Sequence, residues 1–333
     1  MLLSVIIPIR NEILYIPNSF ESIILACLKI ESEILFVDGQ SDDGTYEWIK
    51  NEIKQIDNCK LFQNEKKIVS HGFNQVFNKA RGQYISRIDG HSVYPETYFS
   101  DAIDIFNKHE VDVVGGPANH IGIGWKGKVI ASCMMHPFGV GNSKFRISNK
   151  EQYVDTVPFP IYKRKVLERV GLYDTELIKN QDDELNFRCV EKGFRIYMSP
   201  KLKTNYLVRE NLMDLSKQYF LYGFYKPLVF KKVGYGARIY HFAPASHFIF
   251  SVLFFALLIL NQYAFLYFFC YLMFSFIFSI KKNRSVKSTF YSIIVFLSIH
   301  YSYGIGFLLG YYKRMHKFFS KIVLKFLRRV KAI

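Results

Sequence analysis

The chain has 333 residues, half of them hydrophobic and 17% aromatic, a composition that excludes general disorder. Its formal charge of +16 is unevenly spread: residues 201–333 hold 20 Lys/Arg against two acids, Glu210 and Asp214, whereas residues 1–200 balance at −2. The length suits one large domain with an appendage, and because the basic residues bracket long apolar runs they fit a membrane-facing segment better than a nucleic-acid tail.

Taken in chain order, Leu3–Ile9 is a short apolar run closed by Arg10 and Asn11, the pattern of a first core strand. It follows Met1 almost at once, with no signal-peptide pattern, so the first domain is expected to stay cytoplasmic. Ser19–Leu28 has helical spacing. Ile34–Val37 reads as a second strand stopped by Asp38-Gly39, and Thr45–Ile56 as an amphipathic helix. Phe73–Lys79 is helical, Tyr84–Ile88 a strand ending at Asp89, Pro95–Lys108 a helix, and Val111–Val114 a strand ending in Gly115-Gly116. This alternation predicts an α/β fold, a mostly parallel sheet flanked by helices, with ligands beyond the carboxyl ends of the strands. Asp38 and Asp89 both fall there. Cys27, Cys59, Cys133, Cys189 and Cys270 show no paired spacing and no CxxC, which points to reduced thiols rather than disulfides or a zinc site.

From residue 242 to 280 the chain is almost uncharged, interrupted by Asn261-Gln262, and each half approaches bilayer-spanning length. A third apolar stretch, Thr289–Tyr312, follows the basic loop Lys281-Lys282-Asn283-Arg284, and the tail from Lys313 interleaves eight Lys/Arg with apolar residues, as in a helix lying on anionic lipid. The positive-inside rule places both basic segments on the cytoplasmic side. That favours an even number of crossings, with either 289–312 re-entrant or interfacial, or one earlier half not crossing. The domains expected are 1–235, catalytic, with interfacial elements from about residue 205, and 236–333, a membrane-associated helical region.

Three constellations carry chemistry. Asp38, at a strand end in Val37-Asp38-Gly39-Gln40-Ser41-Asp42-Asp43-Gly44-Thr45, can accept a hydrogen bond from a pyrimidine imide, although Asp-Gly is also a plain turn signal. No GxGxxG or GxxxxGK[ST] supports a dinucleotide fold or a P-loop. In Arg87-Ile88-Asp89-Gly90-His91, two ligand-capable side chains two residues apart can hold a divalent cation against a diphosphate; an imidazole suits Mn²⁺ better than Mg²⁺, and the alternative is a strand-end turn with an incidental histidine. In Asn180-Gln181-Asp182-Asp183-Glu184, acids at a helix N-terminus complement the dipole, or one of them serves as a general base.

In this order (Val5-Ile6-Ile7-Pro8 with Asn11-Glu12, Asp38-Gly39, Arg87 to His91, Gln181 to Arg188) the motifs resemble the family 2 glycosyltransferases of GT-A fold. Val154–Phe159, Val170–Asp174, Gln218–Gly223 and His300–Phe307 further resemble the bacterial succinoglycan-type exopolysaccharide transferases. The resemblance implies that Pro8, Arg10, Glu12 and Asp38 line a nucleoside pocket, that Arg87 and Gln181 contact substrate, and that Asp89 with His91 holds a divalent cation (Mn²⁺ or Mg²⁺) and the diphosphate. Asp182 stands at the position of the catalytic base, with Gln181 where Glu is usual, implying inversion at the anomeric carbon. The implied donor is a nucleotide-sugar, a UDP-sugar first, and the acceptor a polyprenyl-diphosphate-linked or other membrane molecule in surface polysaccharide synthesis. The implied location is the bacterial cytoplasmic membrane with the catalytic domain on its cytoplasmic side.

The sequence departs from the family pattern at His91, at Pro160 where Gly is usual, and in lacking a QxxRW motif, which favours single addition over polymerisation. The competing functions are a processive polysaccharide synthase and a non-catalytic membrane scaffold that binds nucleotide-sugars. Nucleic acid is not an expected partner, and no oligomeric state is assigned.

Overall fold

The structure, a computed structural model, describes residues 1–234, 236–257, 265–282 and 285–330, with side chains described for 1–234, 236–257, 265–280 and 285–314. The interruption at Asn261-Gln262, the side chains of the basic loop 281–284 and the side chains of the tail past residue 314 lie outside the described residues. The chain divides into two compact units, one of residues 1–123 and 134–208, the other of residues 124–133 and 209–333.

The first unit is built on strands β1 (Leu3–Ile9), β2 (Ser32–Asp38), β3 (Cys59–Gln63), β4 (Tyr84–Arg87), β5 (Ser92–Val93), β6 (Val113–Gly115), β7 (Ala118–Ile121), β8 (Gln152–Tyr153), β9 (Ile161–Lys163), β10 (Ile196–Met198) and β11 (Thr204–Leu207). The large sheet runs β3-β2-β1-β4-β9-β6-β10-β8, and a small one runs β5-β11-β7. β1 is buried at all seven positions, because helices cover both faces of a central parallel strand. Leu3, Val5 and Ile7 face a core shared with Ile23, Phe36 and Phe99, while Ile6 faces one built on Phe73, Tyr162 and Leu185. Each such fully buried side chain contributes about 1.5–3 kcal/mol.

Register does the positioning. β1 pairs in parallel with β2 from Leu3↔Ser32 to Ile9↔Asp38, and with β4 from Leu3↔Tyr84 to Ile6↔Arg87. Arg10, Asp38 and the Arg87–His91 turn therefore emerge at one carboxyl edge. Ile6 O accepts from Ile88 N and Ile9 O from Gly39 N, so even positions of β1 direct their peptide groups toward β4. Pro8, which lacks an N–H, lies past the end of the β4 ladder and costs the sheet no bond.

The first helix spans Ile16–Leu28, three residues earlier than its apolar spacing alone gives, with Pro17 in its first turn where a missing N–H is harmless. The expected Thr45–Ile56 helix is α-helical over Thr45–Glu52 and closes as a 3₁₀ turn at Ile53–Gln55. β9, antiparallel to both β4 and β6, interrupts the parallel order.

The second unit contains helices Leu212–Val233, Ile239–Leu257, Phe265–Lys282 and Val286–Val330. Glycines allow close crossings: a Cβ at Gly223 would strike Tyr303 O, and one at Gly306 would strike Phe220 O. The third apolar stretch is a continuous helix, without a re-entrant break. Among the described residues, Ile239–Leu257 and Val286–Arg314 are long and apolar enough to cross a membrane, by length and composition, whereas Phe265–Ile280 is shorter.

Candidate active site

Two loops meet where β1 and β2 end. Asn11 and Gln40 adopt left-handed backbone (φ 54° and 56°), which turns each loop sharply. Asn11 and Asp42 exchange hydrogen bonds (Asn11 Nδ2 to Asp42 Oδ1 2.8 Å, Asp42 N to Asn11 Oδ1 3.0 Å). Thr45 Oγ1 accepts from Glu12 N at 2.8 Å and donates to Asp43 Oδ1 at 2.6 Å. Burial works to raise the pKa of Asp43, but the hydrogen bonds from Thr45 and Ile13 outweigh it and hold the carboxylate below its ordinary range.

Asp38 is fully buried. Its Oδ1 accepts from Ser41 Oγ at 2.5 Å and its Oδ2 from Ser41 N at 3.0 Å, so it does close the turn. It also borders a cleft of about 350 Å³ lined with Gln40, Ser41, Tyr46 and Gln63. Arg10 is exposed; its stem lies over Gly39, where a Cβ would come within 3.3 Å of Arg10 Cβ.

Glu12 lies elsewhere, beneath the Asp89–His91 turn. Its Oε1 is 3.1 Å from His91 Nδ1, and its Oε2 is buried with no hydrogen-bond partner among the described residues. Ser19 Oγ donates to Gly90 O, and Tyr94 OH both accepts from Asp89 N (3.1 Å) and donates to Asp89 O (3.2 Å). His91 stands 5.4 Å from the Tyr206 ring and 6.3 Å from Tyr15.

Asp89 Oδ1 pairs with Arg87 at 2.5 Å, while Oδ2 lies 3.9 Å from His91 Nε2. Burial works to lower the pKa of Arg87, but the fields of Asp89 foremost and of Asp182 outweigh it and raise it. Arg87 is thus ion-paired with Asp89 and also feels the charge of Asp182. Its Nε is buried and lacks a partner among the described residues, as does Gln181 Oε1.

The three adjacent acids open the helix Gln181–Glu191, as their position before Leu185 and Phe187 predicts, and divide by partner. Glu184 is buried in a two-bond pair with Arg188 (2.5 and 2.8 Å), which also donates to Val170 O and Leu172 O. Asp183 accepts from Thr156 Oγ1 at 3.0 Å. Asp182 Oδ1 accepts from Asp183 N at 3.0 Å, and its field reaches Arg87, Tyr162 and Tyr173. Beside them Phe159 takes a left-handed backbone (φ 48°) directly before Pro160, strain held by Tyr98 OH donating to Phe159 O at 3.0 Å. Pro160 O in turn accepts from Arg87 N at 3.3 Å.

Neither Tyr94 nor Tyr173 carries a signature of its place in the site in the sequence alone. Tyr94 follows the DGH turn by three residues. Tyr173 belongs to the Val170–Asp174 motif and is pinned through its backbone by the Asn74 amide (2.8 and 3.1 Å). Both are fully buried phenols whose pKa burial pushes up.

Among the described residues no group of three or more His, Cys, Asp or Glu side chains could hold a metal ion. Asp89 Oδ2 and His91 Nε2 nevertheless face each other across a glycine, and a hard cation commonly takes few protein ligands and completes its shell with substrate phosphates. The donor set fits that arrangement.

The model of the family described as glycosyl transferase family 2 matches residues 4–171, half of the chain. The chain belongs to glycosyltransferase family 2. Its mostly parallel, helix-flanked sheet is the GT-A arrangement that the motif order implied. Over 239 residues the chain is 28% identical to a Methanococcus voltae protein named dolichyl N-acetyl-alpha-D-glucosaminyl phosphate 3-beta-D-2,3-diacetamido-2,3-dideoxy-beta-D-glucuronosyltransferase (69% of this chain, 74% of that one). It is 27% identical over 221 residues to the succinoglycan biosynthesis protein ExoA of Rhizobium meliloti (66% and 67%). Among solved structures, S. aureus TarS 1–349 in complex with UDP-GlcNAc is similar at a TM-score of 0.49 and 18% identity, covering 68% of this chain and 67% of that chain.

Proposed function

We propose that this glycosyltransferase moves a sugar, with inversion, from a nucleotide-sugar, a UDP-sugar first, to a lipid-linked acceptor at a membrane during surface polysaccharide assembly. The observation that carries the reading is the ion pair of the buried Arg87 with Asp89 at the carboxyl edge of the sheet in a family 2 chain, with the charge of Asp182 acting on the same Arg87.

In this reading Asp182 is the base. The acceptor hydroxyl oxygen attacks the anomeric carbon and its proton passes to the Asp182 carboxylate. The bond from that carbon to the diphosphate oxygen breaks, and the nucleoside diphosphate leaves with the electron pair. Attack opposite the leaving group inverts the centre. Arg87 holds Asp89 and adds positive charge near the diphosphate, where preorganised charge stabilises the transition state most. Asp89 and His91 would hold a divalent cation (Mn²⁺ or Mg²⁺), which when bound neutralises charge building on the leaving diphosphate. Glu12, hydrogen-bonded to His91 Nδ1, would fix the ring so that Nε2 faces Asp89, the orienting contact that metal-holding imidazoles commonly have. Asp38 borders the nucleoside side, with Pro8 and Arg10 at the same edge, and Gln181 contacts substrate beside Asp182.

The lipid acceptor is supported by the dolichyl phosphate in the name of the Methanococcus voltae relative, by two helices of spanning length and by the basic second unit, and surface polysaccharide assembly by the succinoglycan named for the Rhizobium relative. The catalytic unit, residues 1–123 and 134–208, then lies on the cytoplasmic side of a bacterial membrane, with the helical second unit membrane-associated. The test is transfer from UDP- and GDP-sugars to polyprenyl-diphosphate-linked acceptors by membranes containing the chain, with Mn²⁺, Mg²⁺ or chelator. Cation-dependent addition of a single sugar, lost in Asp89→Ala, supports the reading. Transfer unaffected by both chelator and Asp89→Ala overturns the site assignment, and polymeric product overturns single addition.

A further inference from the structure

Residues 124–133 interrupt the catalytic unit in sequence and belong to the helical unit. They form most of the helix Gly124–Met134, which buries Val129, Ile130, Ala131 and Cys133 and leaves Trp125, Lys126 and Lys128 exposed. The helix lies against the start of the Val286 helix. Trp125 meets the Tyr291 ring edge-on at 5.2 Å, Lys287 Nζ stands 4.2 Å over the indole, and Cys133 Sγ donates to Ser292 O at 3.9 Å. Along the Val286 helix, Val286, Phe290 and Ile294, spaced one turn apart, are all exposed.

An exposed tryptophan among lysines is an ordinary soluble surface if nothing apolar adjoins it. Here it adjoins an apolar stripe on a helix of spanning length, 74% exposed at Val286 and 58% at Phe290. No acid occurs in 124–133 or 286–314, and Lys126, Lys128 and Lys287 make no ion pair among the described residues. An indole flanked by ammonium groups, beside aliphatic surface, matches the boundary between headgroups and acyl chains. Unneutralised lysines at that level attract anionic headgroups.

We propose that the Gly124–Met134 helix and the start of the Val286 helix form a shelf that docks on anionic phospholipid. Trp125 sits at the headgroup boundary, and Lys126, Lys128 and Lys287 engage lipid phosphates. The inference rests on the membrane association proposed above, and it assigns part of that contact to a segment drawn from the middle of the chain.

The chain has two tryptophans, Trp48 and Trp125, so the full-length Trp48→Phe variant leaves Trp125 as the one indole emitter. It is reconstituted in mixed phosphatidylglycerol–phosphatidylcholine vesicles, with bromine carried by one lipid or the other at equal total content. The expected result is stronger quenching by brominated phosphatidylglycerol. That preference falls roughly five-fold per lysine in Lys126→Ser, Lys128→Ser and Lys287→Ser, while quenching by brominated phosphatidylcholine persists. Equal quenching by the two lipids overturns the anionic docking. No quenching by either, with free access to aqueous iodide, overturns the shelf altogether. Flotation with the vesicles reports membrane association separately: a chain that floats without Trp125 quenching refutes only the shelf, and one that does not float refutes the reading on which it rests.

Discussion

Gly90 sits between the two residues proposed to hold the cation and directly over Glu12. A Cβ there would lie 2.6 Å from Glu12 Oε2, 2.8 Å from Ile9 Cγ2 and 3.1 Å from Ile16 Cδ1. Non-bonded carbon contacts settle at about 3.5–4.0 Å, so Gly90→Ala must move the turn or its floor by roughly 1 Å. Ile9 and Ile16 are fully packed core residues that cannot give that much, which leaves Glu12 and the turn to separate. Overpacking of this kind costs about 2 kcal/mol. In a unit of this size that lowers the melting temperature by roughly 4–8 °C. Glu12 also leaves His91, and a displacement near 1 Å at a reacting centre costs on the order of 100-fold in kcat/KM. The assay is a fluorescence melt of the purified chain together with initial rates against donor concentration. Glu12→Asp, one methylene shorter, restores part of the melting temperature when combined with Gly90→Ala, because the two positions touch. A Gly90→Ala protein that melts within about 1 °C of the parent and keeps its kcat/KM would refute the placement of Glu12 under the turn.

Glu184→Ala removes the buried carboxylate that holds the half-buried Arg188 and destabilises the chain by about 2 kcal/mol in chemical denaturation, while the donor KM stays unchanged, since Glu184 faces Arg188 rather than the substrate edge. Glu33 is buried with hydrogen bonds from Ser4 Oγ (2.7 Å), Arg81 N (2.6 Å) and Arg81 Nε (3.1 Å), and these outweigh burial and lower its pKa. Its stabilisation is complete above the ordinary carboxylate pKa of about 4.3 and is lost as pH falls through the lower folded value. Urea midpoints measured against pH are therefore expected to fall less steeply through that acid window in Glu33→Gln. Gly306→Ala drives a methyl group into Phe220 O and Phe224 N and costs about 1–3 kcal/mol of helix packing, read as earlier unfolding of the second unit in a detergent titration.

Much of the first unit is legible in the sequence because burial there leaves a local signature. β1 reads as a strand since both its faces are covered, giving seven buried positions in a row. The acids before Leu185 and Phe187 announce a helix start through dipole preference. β9 left no such mark: three residues after Pro160 become a strand through bonds to β4 and β6, which are tertiary. The division of Asp182, Asp183 and Glu184 is hidden for the same reason, since it depends on Thr156, 27 residues before Asp183, as well as on Arg188. Glu12 joins the motif pattern from the nucleoside side, yet its carboxylate reaches His91, 79 residues on, across parallel strands. Charge revealed a basic second unit, but the membership of residues 124–133 in it arises from packing against Tyr291 and Ser292.

Asp182 is proposed to take the acceptor proton. Asp182→Asn keeps the shape and the hydrogen bond from Asp183 N while removing the basic oxygen. Donor binding by calorimetry and sugar transfer to a lipid-linked acceptor, measured on the same preparation, separate holding from chemistry. The expected result is donor affinity within about two-fold of the parent and transfer slower by about 10²–10⁴-fold. Transfer at the parent rate, with donor binding intact, would contradict the assignment of the base.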